Sequence, residues 1–235
     1  MKKITKFLIE IIKQASELVE DVFEVKNKDD AGDLVTSCDF KIEKFLIEKI
    51  KEVYPKFDIV SEEFNENNKQ TQNCFVIDPI DGTINFAQNV PFWVIQVACV
   101  KGGEVCSSVV YCPKLNELFY ADETGAFLNG NKIYVSKNDD TFGIYEILDS
   151  SKIFDSKKVY EGSKYCRKIY CTGLAFCWVA CGRFSGAVLT KDTLWDYLPG
   201  LYIAKQAGAV IVDETKLHMV SKGQNFVEFL KGKLK

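Results

Sequence analysis

Histidine is nearly absent from this sequence: His218 is the single one in 235 residues. Ser-His-Asp and Cys-His nucleophilic catalysis each need a positioned imidazole, and most zinc enzymes use histidine as a ligand. His218 stands near the C-terminus in Thr-Lys-Leu-His-Met-Val, which reads as a strand or loop position rather than a base. Enzymatic chemistry in this chain must run on carboxylates, hydroxyls and a bound ion. Nor is there an uninterrupted apolar run of the ~18 residues that a membrane span needs. The start, Met1-Lys2-Lys3, is basic, but Glu10 and Lys13 break what would have to be the apolar core of a secretory signal. We read a cytoplasmic protein with no membrane partner. No basic run stands out, and 30 basic against 33 acidic residues leave a net charge of −3. That argues against nucleic acid as a main ligand. The nine cysteines include no Cys-x-x-Cys, their number is odd, and most sit in apolar runs. Reduced thiols packing as small hydrophobes fit better than disulfides or zinc. No internal repeat or low-complexity tract occurs.

What is present is apolar periodicity. Hydrophobic residues make up 47% of the chain, which suits one globular unit or two small packed domains. Ile4, Phe7, Leu8, Ile11, Ile12, Ala15, Leu18, Val19 and Val22 recur at helical spacing and predict an amphipathic helix of about five turns. Its polar face carries Glu10, Glu17 and Glu20 beside lysines, so it packs on a core rather than on anionic lipid. A second helix is predicted over residues 40–53, with Asp39 as N-cap and Tyr54-Pro55 as the stop. A short strand over residues 57–60 leads to Ser61-Glu62-Glu63. Cys74-Phe75-Val76-Ile77 reads as a buried strand that ends at Asp78, because Pro79 cannot donate to a ladder. Successive hairpins between residues 93 and 135 predict an antiparallel sheet. The polar residues 136–141 suggest a boundary, giving domains 1–138 and 139–235. Beyond it the spacing predicts strands over 145–148, 184–189 and 210–213 and a buried helix over 173–181. A further helix starts near Asp196, so that Pro199 falls in its first turn, and stops at Gly208.

Asp78 and Asp81 leave the central strand together, beside Gly82, Thr83 and a short helix. Carboxylates so spaced bind hard, oxygen-loving cations, and the first N–H groups of a helix bind phosphate. Each acid also has a plainer reading. Asp-Pro and Asp-Gly are turn dipeptides, Asp39 suits an N-cap, and Glu62-Glu63 suits a solvated turn. Asp196 suits a helix dipole, and Lys28 a solvated loop.

Taken together, the segments carry a resemblance. Asp78-Pro79-Ile80-Asp81-Gly82-Thr83-Ile84-Asn85-Phe86 resembles the Asp-Pro-x-Asp-Gly-Thr-x-Asn-Phe signature of the inositol monophosphatase family. The segment Asp33-Leu34-Val35-Thr36-Ser37-Cys38-Asp39 resembles that family's Asp-x-Val-Thr-x-x-Asp, and Ser61-Glu62-Glu63 its Gly-Glu-Glu, with Ser61 for the glycine. Trp195-Asp196, followed by a small-residue helix, resembles its Trp-Asp-x-x-x-Gly block. These segments arrive in the family's order and cover most of the chain.

The resemblance implies an α/β (α+β) fold, a layered αβαβα sandwich in which an antiparallel sheet carries the first two helices and a smaller α/β domain follows. It implies Mg²⁺-dependent, lithium-sensitive hydrolysis of a small phosphorylated metabolite, by a homodimer using two or three ions per site. Glu62, Asp78 and the Ile80 carbonyl would hold one ion, and Asp78, Asp81 and Asp196 a second. Gly82 and Thr83 would receive the phosphate, with Asp81 and Asp196 beside it. Thr83 and Glu62 would orient the attacking water, with Asp39 nearby. Lys28, Asp33 and Glu63 would belong to the mobile loop or a third ion. The inositol branch usually carries a Glu shortly before Trp-Asp, and Leu189-Thr190-Lys191-Asp192-Thr193-Leu194 has none. Fructose bisphosphate, a nucleoside bisphosphate or histidinol phosphate therefore stand beside inositol phosphate as substrates. A non-catalytic regulatory interaction protein is the alternative from another class.

Overall fold

The N-terminal periodicity forms α1 (Lys3–Ser16), which buries Leu8, Ile11, Ile12 and Ala15. The computed structural model describes residues 1–20, 23–27, 34–161 and 165–235. α1 is shorter than the expected five turns. At its end the Ser16 hydroxyl donates to the Lys13 carbonyl, and the N–H groups of Glu17 and Leu18 close tighter turns onto Gln14 and Ala15. Leu18 and Val19 still pack on the core, so their spacing reports burial rather than helix. Val22 lies outside the described residues.

β1 (Val25–Asn27) and β2 (Leu34–Thr36) pair antiparallel, and β2 runs straight into α2 (Ser37–Val53). This helix begins earlier than expected, and its N-cap is Thr36 rather than Asp39. Asp39 sits at the third helical position and accepts the Thr36 N–H at 2.8 Å, the reciprocal half of a capping box.

β3 (Asp58–Ser61) and β4 (Asn73–Asp81) pair in parallel. After α3 (Thr83–Ala87), the strands β5 (Val94–Lys101), β6 (Glu104–Cys112), β7 (Glu117–Asp122), β8 (Gly125–Leu128) and β9 (Asn131–Ile133) follow as antiparallel hairpins. Together with β3 and β4, the latter antiparallel to β5, they make a seven-stranded sheet in sequence order. The expected strand end at Asp78 is corrected: β4 continues to Asp81, and its register against β5 slips between Asp78 and Asp81. Pro79 occupies that irregularity, where no ladder donor is required.

The second sheet uses β10 (Tyr145–Leu148), β11 (Cys166–Arg167), β12 (Gly186–Leu189), β13 (Val210–Glu214) and β14 (Leu217–Ser221) in the order β11-β10-β12-β14-β13. Between and after these strands lie α4 (Ser156–Glu161), α5 (Thr172–Ala180), α6 (Leu194–Gln206) and α7 (Gln224–Lys231). α6 starts at Leu194, so Pro199 lies inside it rather than in its first turn. Pro199 has no N–H for the Trp195 carbonyl, which instead accepts Gln96 Nε2 at 3.0 Å.

Burial on both faces of β4 sets the layers. Phe75 and Ile77 face the core shared with α1 and α2, while Cys74 and Val76 face Leu198 of α6. α5 and α6 fill the middle and also meet Ala187, Leu189 and Val220 of the second sheet. α7 covers the far face with Phe226 and Leu230. Helices, sheet, helices, sheet, helix is the αβαβα sandwich.

Candidate active site

The slip in β4 turns two neighbouring acids into the space between sheet and helices. Asp78 is fully buried; its Oδ2 accepts Gln96 Nε2 at 3.3 Å. Among the described residues its Oδ1 has no hydrogen-bond partner. Burial, followed by the charges of Glu62, Asp81 and Asp196, holds the Asp78 carboxyl well above the usual carboxylate range. Asp81 meets the start of α5, accepting the N–H groups of Gly173 at 2.6 Å and Thr172 at 3.3 Å and the Cys171 thiol at 3.4 Å. A helix N-terminus favours the carboxylate. Burial and Asp196 nonetheless raise it to about 7.

Gly82 follows at φ +90°, and a Cβ there would lie 2.8 Å from the Phe92 carbonyl oxygen. Gly82→Ala should therefore lower unfolding free energy by about 2 kcal/mol or more, read by urea denaturation. Thr83 Oγ1 donates to the Ile80 carbonyl at 2.9 Å. Asn85 Nδ2 donates to the carbonyls of Phe92 at 2.7 Å and Ile169 at 2.6 Å, tying this turn to the segment before α5.

Glu62 is carried by the turn after β3. Glu43 of α2, itself fully buried, accepts the Ser61 hydroxyl at 2.5 Å and the N–H groups of Glu63 and Phe64 at 2.8 Å. The serine that stands for a glycine thus makes a bond a glycine could not. Asp196, in the first turn of α6, accepts the Thr193 hydroxyl and pairs with Lys191 Nζ at 3.3 Å. Gln96 donates to the carbonyls of Trp195 at 3.0 Å and Asp196 at 3.3 Å while touching Asp78, so one amide links the strand acid to the helix acid.

These elements enclose a cavity of about 360 Å³. Of the residues singled out in sequence, Glu62, Asp78, Ile80, Asp81, Gly82, Thr83 and Asp196 line it. Asp39 and Glu63 do not: Asp39 accepts the Thr36 N–H at the start of α2, and the Glu63 backbone is held by Glu43. Lys28 and Asp33 lie outside the described residues. Among the described residues, no three His, Cys, Asp or Glu side chains stand gathered as a metal cage. The fit to a hard cation rests on Asp78: a buried carboxylate oxygen without a donor, among three further acids, calls for positive charge.

Sequence reasoning missed Gln96, Glu146 and Lys168. The signal for Gln96 was a lone polar residue in an apolar strand. Lys168, Asp149, Ser150 and Tyr170 complete the cavity wall. Glu146 of β10 is fully buried; its Oε1 accepts the N–H groups of Ile169 at 2.7 Å and Tyr170 at 3.0 Å, while Oε2 has no partner among the described residues. Burial raises its carboxyl from 4.5 to about 7. A group raised on folding contributes its full stability below the unfolded pKa and loses it as pH rises through the folded one. Glu146→Gln should therefore remove up to about 3 kcal/mol of the stability lost between pH 5 and 8, measured by urea melts across that range.

A family model described as the inositol monophosphatase family matches residues 1–227. A Thermotoga maritima protein named fructose-1,6-bisphosphatase/inositol-1-monophosphatase is 34% identical over 209 residues, covering 86% of this chain and 80% of that one. An Escherichia coli K12 protein named Nus factor SuhB is 31% identical over 201 residues, covering 80% and 74%. Among solved structures, a Thermotoga maritima IMPase superposes with a TM-score of 0.88 at 30% identity, covering 98% of this chain and 96% of that one.

Proposed function

Since this chain belongs to the inositol monophosphatase family, we propose that it is a Mg²⁺-dependent phosphatase that releases inorganic phosphate from a small phosphomonoester of the inositol phosphate type. The observation that carries this reading is the buried, unpartnered Asp78 Oδ1 in one cavity with Glu62, Asp81 and Asp196. Magnesium, when bound, supplies the positive charge that offsets the phosphoryl oxygens and acidifies a water. Glu62, Asp78 and the Ile80 carbonyl are the groups we assign to one ion, and Asp78, Asp81 and Asp196 to a second. Gly82 and Thr83 present backbone N–H groups to the phosphate. Thr83 Oγ1 and Glu62 hold and orient the attacking water, and Glu62 is the group able to take its proton. Asp39 and Glu63 receive supporting parts, through the start of α2 and the turn beside Glu62. Lys28 and Asp33 are kept as candidates for the adjoining loop. We further propose a lithium-sensitive homodimer working in the cytoplasm, to be checked by light scattering and by Li⁺ competition.

Phosphate release from inositol 1-phosphate, fructose 1,6-bisphosphate, a nucleoside 3′,5′-bisphosphate and histidinol phosphate, with and without Mg²⁺, tests the assignment. Release from none of them would overturn it. Lys168 and Lys191 on the cavity wall suit a second anionic group, which favours including a bisphosphate. Lys168→Ala should raise KM for fructose 1,6-bisphosphate about tenfold, with kcat held and inositol 1-phosphate little changed, because one charge-assisted contact is worth ~1.5 kcal/mol. A second reading, a regulatory interaction protein, is favoured by the similarity to proteins named Nus factor SuhB. A folded chain that binds a protein partner but hydrolyses no substrate in the screen would establish it.

A further inference from the structure

β5 and β6 pair out of step at one place. Cys99 opposes Ser107 and Val100 opposes Val105, which leaves Cys106 as the extra residue of a bulge beside Cys99. This face lies under α1: the Ser107 hydroxyl donates to Thr5 Oγ1 at 2.9 Å, and Cys99 and Cys106 pack in the core that α1 covers. The Cys99 thiol donates to the Val100 carbonyl at 3.8 Å. A bulge sets two residues of one strand against one of its partner, so Cys106 and Ser107 share Cys99 as their neighbour across the ladder.

We propose that Cys99 and Cys106 are a peroxide-sensitive dithiol that closes to a disulfide. The two sulfurs are unequal in the way such a pair requires. Cys99 is fully buried, whereas Cys106 is partly exposed. The neighbouring Cys99 thiol, and then the charges of Lys2 and Lys101, favour the Cys106 thiolate. In that setting it is held down to about 7, whereas each of the other eight thiols is raised. Thiolate character with access selects the attacking sulfur. The Cys106 thiolate attacks one peroxide oxygen; the O–O bond breaks, and the hydroxide that leaves takes a proton to become water. The resulting sulfenic acid is attacked by Cys99 sulfur. The S–S bond forms, the S–O bond breaks, and the departing hydroxide takes the Cys99 proton as a second water. The two thiols lose two electrons and the peroxide gains them.

The test treats the full chain with hydrogen peroxide, followed by non-reducing tryptic mass mapping; trypsin cuts after Lys101, between the two cysteines. The expected product joins their peptides with loss of two hydrogens, and dithiothreitol reverses it. In Cys99→Ser, dimedone should label Cys106 at least ~10 times faster than Cys166, a second partly exposed thiol. In Cys106→Ser the link should vanish. Both cysteines remaining open to iodoacetamide after peroxide, or Cys106 reacting no faster than Cys166, would overturn the proposal.

Discussion

Asp78→Asn should cut Mg²⁺-supported phosphate release at least about a thousandfold while raising the melting temperature of the metal-free protein at pH 8. The two effects have one cause. Asp78 is fully buried and pressed by Glu62, Asp81 and Asp196. Ionised and without a cation, it costs the fold rather than holding it together. Asparagine keeps the shape and removes the charge. The gain should be about 1–3 kcal/mol, or a few degrees in a chain of this size. Because the Asp78 carboxyl is raised, it is protonated in acid, and the advantage of the variant should shrink toward pH 5. Activity assays and scanning calorimetry on the same sample check both halves. Loss of activity with a lower melting temperature would make Asp78 a structural residue.

The part of the site that lies on one continuous segment was legible in the sequence. Asp78 to Phe86 carries its own turn and helix start together with the whole pattern that resembles the family signature, so that resemblance could be read from one segment. Three supporting groups were not legible, because each acts across a fold contact. Glu43 reaches Ser61 from α2, Gln96 reaches Asp78 and Trp195 from a neighbouring strand, and Glu146 reaches Ile169 from another. In sequence each is one polar residue among apolar or charged ones. The errors of element placement share a different cause. Pro79 and Pro199 were read as breakers of ideal ladders, yet a bulge removes the need for the first donor and Gln96 replaces the second. At α1, helical spacing persisted past the helix because Leu18 and Val19 still pack, partly buried, against the core after the backbone has turned.

A magnesium titration is expected to raise the melting temperature by about 5–10 °C at pH 8 once the ion is 100-fold above its dissociation constant. Binding at that excess is worth about 2.7 kcal/mol, and a chain of this length moves ~2–4 °C per kcal/mol. The dependence on pH carries the diagnosis. Asp81, raised to about 7 by burial and Asp196, and Asp78, raised by burial and its three neighbours, hold protons in the metal-free fold. The Asp81 contribution to metal-free stability is complete below about pH 4 and is lost as pH rises through about 7, and that of Asp78 is likewise lost as pH rises. A cation must displace a proton from Asp81 at pH 6 but meets it ionised at pH 8. The metal-induced shift should therefore be larger at pH 8 than at pH 6, and Asp78→Asn should shrink it at both. A surface ion atmosphere would also raise stability, but it would not single out Asp78 or follow the titration of a buried pair. If the melting temperature ignores Mg²⁺ at both pH values, the four acids are not a cation site, and the phosphatase reading loses its chemistry.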